Sequence, residues 1–195
     1  MMLRKILSPD LNSNFIEQYD NSLSVNECQI LINQFEKSKH CEGSTNKGVV
    51  PEEKKCIQLI GPRFSDASVI SGIIESALSD CMIKYKEKYS DALSNINWWK
   101  LADEYSFQKY DGENDGYKAW HCEHGTGSSS YRILAWIIYL NDAKSGTEFR
   151  HYPTIRAKMG RCVIWPSGLS YLHRGVTPNK GLKYITTGWY SYYEK

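Results

Sequence analysis

From Trp98 onward the chain changes texture. Short runs of β-branched and aromatic residues are separated by Gly, Pro, Asn and Asp, and this pattern continues to residue 192. Val, Ile, Thr, Tyr and Trp suit a pleated, half-buried surface, and the intervening residues turn the chain, so the segment predicts an antiparallel all-β core. Strands are expected near 103–110, 117–124, 131–140, 146–151, 161–165, 170–174 and 183–192. Aromatic residues make up 13% of the chain, including 14 Tyr and 6 Trp, and they concentrate toward the C-terminus.

The first half is patterned differently. Ser24-Val-Asn-Glu27 is a capping box, in which hydroxyl and carboxylate satisfy free N–H groups, and Cys28, Leu31, Ile32 and Phe35 follow at helical spacing. A helix over 24–37 follows from this. Ile70, Ile73, Ile74, Ala77, Leu78, Cys81 and Tyr85 keep a 3.6-residue period in a second, longer helix from near Asp66. Between the two lie a polar loop, 38–55, and an apolar run, Cys56 to Ile60, which reads as a strand ended by Gly61-Pro62. Seven strands and two helices predict a mainly β fold with flanking helices, a double-sheet jelly-roll whose interior can hold a metal and a small ligand. At 195 residues the chain reads as one domain, 1–195, in which a helical N-terminal region, residues 1–97, packs on the core 98–195. Segments 38–55 and 125–130 are expected to be flexible.

Charge narrows the functions. With 24 Lys plus Arg against 22 Asp plus Glu there is no concentrated basic field, which argues against a nucleic-acid groove. No window approaches 18 apolar residues, and Met1–Asn12 is too polar for a signal peptide, so a cytoplasmic protein without a membrane partner is expected. Six cysteines without a Cys-X-X-Cys pair read as reduced thiols.

Three residues could bind a metal. In an extended segment His121 and Glu123 point to the same side, and His173 is the third candidate. Two imidazoles and one carboxylate on one face of an ion leave three positions open, the arrangement used by non-haem Fe(II) enzymes. His-X-Glu equally fits an ordinary hydrogen-bonding histidine on a strand. His124, the i+3 neighbour of His121, is an alternative ligand that the alternation turns away. Farther on, Lys183, Ile185, Thr187 and Trp189 alternate on one strand face. A lysine on an inward, apolar face needs an anionic partner such as a dicarboxylate, whereas on an edge strand it simply points to water. The tryptophans Trp136, Trp165 and Trp189 read as core packing.

In these residues the sequence resembles the iron(II) and 2-oxoglutarate dependent dioxygenases of the prolyl 4-hydroxylase-like family. Gln108-Lys-Tyr110, Gly112, Gly116-Tyr117 and His121-X-Glu123 look like that family's metal-binding strand, and Ala135 to Asn141 like the next core strand. Gly146-Thr-Glu-Phe149, Gly160 to Pro166 and His173-Arg-Gly, with Lys183 ten residues on and then Thr187 and Trp189, complete the order. The resemblance implies a double-stranded β-helix with His121, Glu123 and His173 as Fe(II) ligands and Lys183 paired with the distal carboxylate of 2-oxoglutarate. Tyr139 and Thr187 would bond around that carboxylate, and Tyr110 would line the cosubstrate wall. Glu123 departs from the family, which usually has Asp there.

The activity implied is hydroxylation of a C–H bond with Fe(II), 2-oxoglutarate and O2, releasing succinate and CO2, with ascorbate as reductant. The favoured substrate is a peptidyl proline in a peptide or protein. One rival is the same fold acting on a free amino acid, small molecule or nucleotide. Another is a cupin-like metal-binding module without redox activity.

Overall fold

Ser24 caps the first helix as its sequence directs. Its hydroxyl accepts the Glu27 backbone N–H at 3.3 Å, and the Glu27 carboxylate accepts the Ser24 N–H at 2.8 Å. The computed structural model describes residues 14–45, 47–59, 63, 68–178 and 180–193. Its N-terminal half contains β1 (Glu17–Tyr19), α1 (Val25–Lys37), β2 (Cys41–Glu42), β3 (Lys54–Lys55), β4 (Ile57–Leu59), α2 (Val69–Lys88) and α3 (Ser90–Leu93). The second half contains β5 (Trp99–Asp111), β6 (Gly116–Tyr117), β7 (Arg132–Tyr139), β8 (Gly146–Phe149), β9 (Ile155–Arg156), β10 (Cys162–Pro166), β11 (His173–Val176) and β12 (Leu182–Tyr192).

The strands form a jelly-roll of antiparallel pairs. The large sheet has the order β1-β10-β7-β12-β5-β4-β2, a smaller one the order β11-β8-β9, and β3 pairs with β6. Two apolar layers lie on opposite faces of the large sheet. On one face, Leu31 and Phe35 of α1 and Ile74, Leu78 and Tyr85 of α2 pack on Phe107, Trp136, Ile138, Ile164 and Tyr190. On the other, Tyr110, Ile137, Tyr139, Val163, Trp165 and Ile185 face Phe149 and Ile155 of the small sheet. From Leu134 on in β7, and in β10 and β12, odd and even residues divide between these layers, as a period of two requires. The flat, apolar partner that the stripe of α2 requires is therefore the outer face of this sheet.

Several local expectations need correction. The region before Trp98 is not only helical: β1, β2 and β4 extend the large sheet at its two ends. The polar loop 38–55 carries β2 and β3, and 125–130 contains a 3-10 turn, Gly127–Tyr131, so neither is irregular throughout. Helix α2 starts at Val69 with Ser68 as its cap, while Asp66 lies outside the described residues, as does Ile60 at the end of the apolar run. Segment 117–124 is no continuous strand, because its N–H groups go to loop carbonyls. Lys118 and Ala119 donate to Glu53 O, His121 bonds His173, and Glu123 and His124 donate to Ser167 O. Likewise 169–171 is a 3-10 turn, and the strand expected over 170–174 begins only at His173.

Leu78 is fully buried between α2 and the sheet. Leu78→Ala is expected to lower stability by about 3 kcal/mol, as a truncation that leaves a cavity in a close-packed layer does. Urea unfolding with an unchanged m-value would show it.

Candidate active site

His121 and His173 are held by a backbone bridge: His121 N–H donates to His173 O at 3.0 Å and His173 N–H to His121 O at 2.9 Å. Each imidazole is then oriented by its own chain. Nδ1–H of His121 donates to Ala119 O and that of His173 to Tyr171 O, both at 2.9 Å. A carbonyl only accepts, so the protons sit on Nδ1 and the Nε2 lone pairs are free. The two Nε2 atoms lie 3.6 and 3.3 Å from Glu123 Oε1, and the three ligand atoms are within 4.8 Å of one another. Lone pairs aimed at a carboxylate call for a cation between them, and a two-imidazole, one-carboxylate set fits ferrous iron. Burial pushes the Glu123 carboxyl up, but protonated imidazoles donating from Nε2 in place of an ion would outweigh it and hold the group well below the usual carboxylate range.

Packing fixes the rings. Tyr117 stacks on His121 with centroids 3.7 Å apart, and Trp165 stands edge-on to His173 at 5.1 Å. The other carboxylate oxygen, Oε2 of Glu123, accepts from Trp189 Nε1 at 2.8 Å and from Arg132 Nη1 at 3.4 Å. The Arg132 guanidinium lies over the Trp189 ring at 3.5 Å, so the two donors brace one another. Trp189 is thus a carboxylate anchor and not merely core packing. His124 is exposed and stands outside the cluster.

Lys183 points inward, 2% exposed. Its Nζ donates to Val176 O at 3.2 Å and sits 4.4 Å from the Tyr110 ring centroid. Burial pushes the ammonium down to about 8, with the Cys56 thiol opposing it weakly. Gly175 leaves this place open: a Cβ there would lie 3.6 Å from Lys183 Nζ and 3.3 Å from Tyr117 N. Since Gly175 follows His173 by two residues on β11, the lysine and the imidazoles share one wall. Tyr139 faces the same interior, its hydroxyl 2.6 Å from that of Thr147. Thr187 is on this face too, but its hydroxyl donates to Trp136 O at 2.6 Å. The Tyr110 hydroxyl donates to Gln108 Oε1 at 2.5 Å.

Sequence patterning points His121, Glu123, His173 and Lys183 to this interior, the family resemblance adds Tyr139, and both miss Arg132, Thr147 and the role of Trp189. Trp189 is within its reach, since it continues the alternation from Lys183 through Thr187. Arg132 opens a strand next to a loop, where nothing local marks it.

With this geometry in place, the comparisons with known proteins converge. Residues 105–191 match the family model of the 2OG-Fe(II) oxygenase superfamily. No curated protein matches the chain in sequence at a significant level. Among solved structures, a viral collagen prolyl hydroxylase of Paramecium Bursaria Chlorella virus-1, in complex with 2OG, is 19% identical with TM-score 0.67, covering 92% of this chain and 97% of that one. A prolyl hydroxylase from Trichoplax adhaerens, in complex with a hypoxia inducible factor oxygen degradation domain peptide fragment, is 18% identical with TM-score 0.71, over 93% and 85%. A Pseudomonas putida prolyl-4-hydroxylase is 15% identical with TM-score 0.68, over 93% and 95%. Residues 105–191 therefore form a 2OG-Fe(II) oxygenase domain, which implies Fe(II), 2-oxoglutarate and O2. The fold of the chain as a whole is prolyl hydroxylase-like.

If Trp189 and Arg132 steady the carboxylate, Trp189→Phe should weaken binding of a divalent ion about tenfold, the usual scale for losing a partner of a ligand. Glu123→Gln should lose most of it. Titration with Co(II), followed by visible absorption, would read both.

Proposed function

We propose that this chain hydroxylates a C–H bond of a prolyl residue in a peptide, with His121, Glu123 and His173 as the iron ligands and Lys183 as the seat of the distal carboxylate of 2-oxoglutarate. The observation that carries the reading is the pairing, in one interior, of the three-ligand cluster with a buried ammonium that, among the described residues, meets the Val176 carbonyl and the Tyr110 ring and pairs with no carboxylate. A buried cation with neutral neighbours is costly, and a carboxylate relieves that cost. The peptidyl proline is supported by the prolyl hydroxylase-like fold. Ascorbate as reductant is carried by the family resemblance alone. Six free cysteines suit a cytoplasmic setting, and no helix among the described residues is long and apolar enough to cross a membrane. The chain acts in this reading as one domain, with the helices as scaffold.

Fe(II) with 2-oxoglutarate and O2 supplies the oxidation: decarboxylation to succinate and CO2 places one oxygen atom in succinate and the other in the substrate. The chain's residues bind, orient and shield. Lys183 and the ring of Tyr110 receive the cosubstrate's far end, and the Tyr139–Thr147 hydroxyl pair lies beside that wall. Trp189 and Arg132 keep Glu123 Oε1 turned to the imidazoles. Phe149, Trp165 and Ile185 exclude water from the interior.

Incubation with Fe(II), 2-oxoglutarate and proline-rich peptides should give succinate and a peptide heavier by one oxygen. Succinate release also separates this reading from a non-redox metal-binding module. His121→Ala and His173→Ala should abolish turnover without unfolding the domain. Lys183→Ala should raise the apparent KM for 2-oxoglutarate about tenfold or more, because a charge-assisted hydrogen bond in a buried site is lost. Overlapping titrations for Lys183→Ala and wild type would sink the assignment.

A pH profile gives a second check. The free Lys183 titrates near 8, below the ordinary lysine value, so raising the pH through about 8 removes the charge that attracts the carboxylate. Cosubstrate affinity should fall over that range, and Lys183→Arg, whose guanidinium keeps its proton, should flatten the fall.

A further inference from the structure

The proposed reaction leaves one buried cation without a role. Lys54 of β3 is 6% exposed, and its Nζ donates to Ser44 O and to Gln58 Oε1, both at 3.1 Å. Both acceptors are neutral, and among the described residues one N–H remains for a further acceptor. None of the ion pairs among the described residues includes Lys54. The next residue, Lys55, behaves as a surface lysine, 52% exposed and 3.4 Å from Asp115.

The position of Lys54 is specific. Pairing of β3 with β6 sets it opposite Tyr117, whose ring centroid is 5.5 Å from its Nζ. Tyr117 in turn stacks on His121. The ammonium therefore stands one aromatic ring away from a residue of the three-ligand cluster, on a different element from Lys183. The wall that leads from it toward β12 is polar: Gln58 lies opposite Gln108, whose amide donates to Ser106 Oγ at 3.3 Å.

Charge points the same way. Glu123 is met by Arg132, and Asp115 is taken up by Lys55 and by the Asp111 N–H. With Lys183 taken by the distal carboxylate of 2-oxoglutarate, the charge of Lys54 is left for the remaining ligand to meet. Burying a cation without an anion is unfavourable.

We propose that Lys54 recognises a carboxylate on the primary substrate, so that the molecule oxidised carries an anionic group close to its reacting C–H bond. The inference rests on the proposed function and names its substrate class. The carboxylate has two sources, the terminal carboxylate of a prolyl unit or an acidic side chain next to the target proline.

The test is calorimetry on the full chain loaded with Mn(II) and 2-oxoglutarate. The probes are two pairs: N-acetylproline against N-acetylprolinamide, and acetyl-Pro-Asp-amide against acetyl-Pro-Asn-amide. Wild type should bind the carboxylate member of one pair about tenfold or more tighter, on the scale of a charge-assisted hydrogen bond, and that pair names the source. In Lys54→Gln the preference should shrink to about twofold while the Kd for 2-oxoglutarate stays unchanged. Lys54→Arg should restore part of it. Equal binding within both pairs by wild type overturns the proposal, and that comparison needs no variant to fold. A preference that survives in Lys54→Gln, with only a lower Tm, would make Lys54 a structural tie and overturn it as well. Failure of 2-oxoglutarate to bind wild type would instead overturn the proposed function, and this inference with it.

Discussion

β12 is covered on both faces and bonded along both edges, and the rest of the molecule is arranged around that double burial. Tyr184, Thr186 and Tyr190 turn to the helices, and Lys183, Ile185, Thr187 and Trp189 turn to the interior between the sheets. Pairing with β5 sets Lys183 opposite Tyr110, and pairing with β7 sets Ile185 opposite Tyr139. A slip of one residue would exchange the two faces, placing a lysine under the helices. Gly188 guards the register. It lies opposite Trp136, and a Cβ there would come within 2.6 Å of the Trp136 ring, so the indole can lie flat only over a residue without a side chain.

The two layers differ in what they bury. Beneath α1 and α2 the sheet carries mainly apolar side chains, and their close packing holds the scaffold. The interior layer mixes Ile137, Val163 and Ile185 with Lys183, Gln108, Thr147 and His173. Several polar groups there are tied to backbone carbonyls or to one another, as with Tyr110 to Gln108 and Lys183 to Val176 O. Low polarity around these groups strengthens each contact and makes an unmatched charge expensive.

How much of this was legible in the sequence depends on how local the signal is. The capping box at Ser24 and the stripe of α2 are carried by neighbours three and four residues apart, and both helices stand where that spacing puts them. The inward face of β12 was legible because a lysine broke an apolar alternation. His121 and Glu123 converge as i and i+2 neighbours do, even though 117–124 is not the continuous strand its composition suggests; a single bridge to His173 supplies the extended geometry. Lys54 was not legible. β3 and β6 are two residues each, too short for any period, and their pairing joins segments more than sixty residues apart. Arg132 reaches Glu123 from the first residue of β7, and only the fold brings the two together.

Glu123 shows how the chain absorbs its departure from the aspartate that the family resemblance leads one to expect. The longer side chain has one more rotatable bond, and holding a flexible side chain in one rotamer costs on the order of 1–2 kcal/mol. In this structure Oε2 is held by Trp189 Nε1 and Arg132 Nη1, which leaves Oε1 turned to both imidazoles. The two donors come from β12 and β7, strands that also carry Lys183 and Tyr139. The carboxylate and the buried ammonium are consequently referred to one rigid frame, so that a shift in the pairing of these two strands would displace both together.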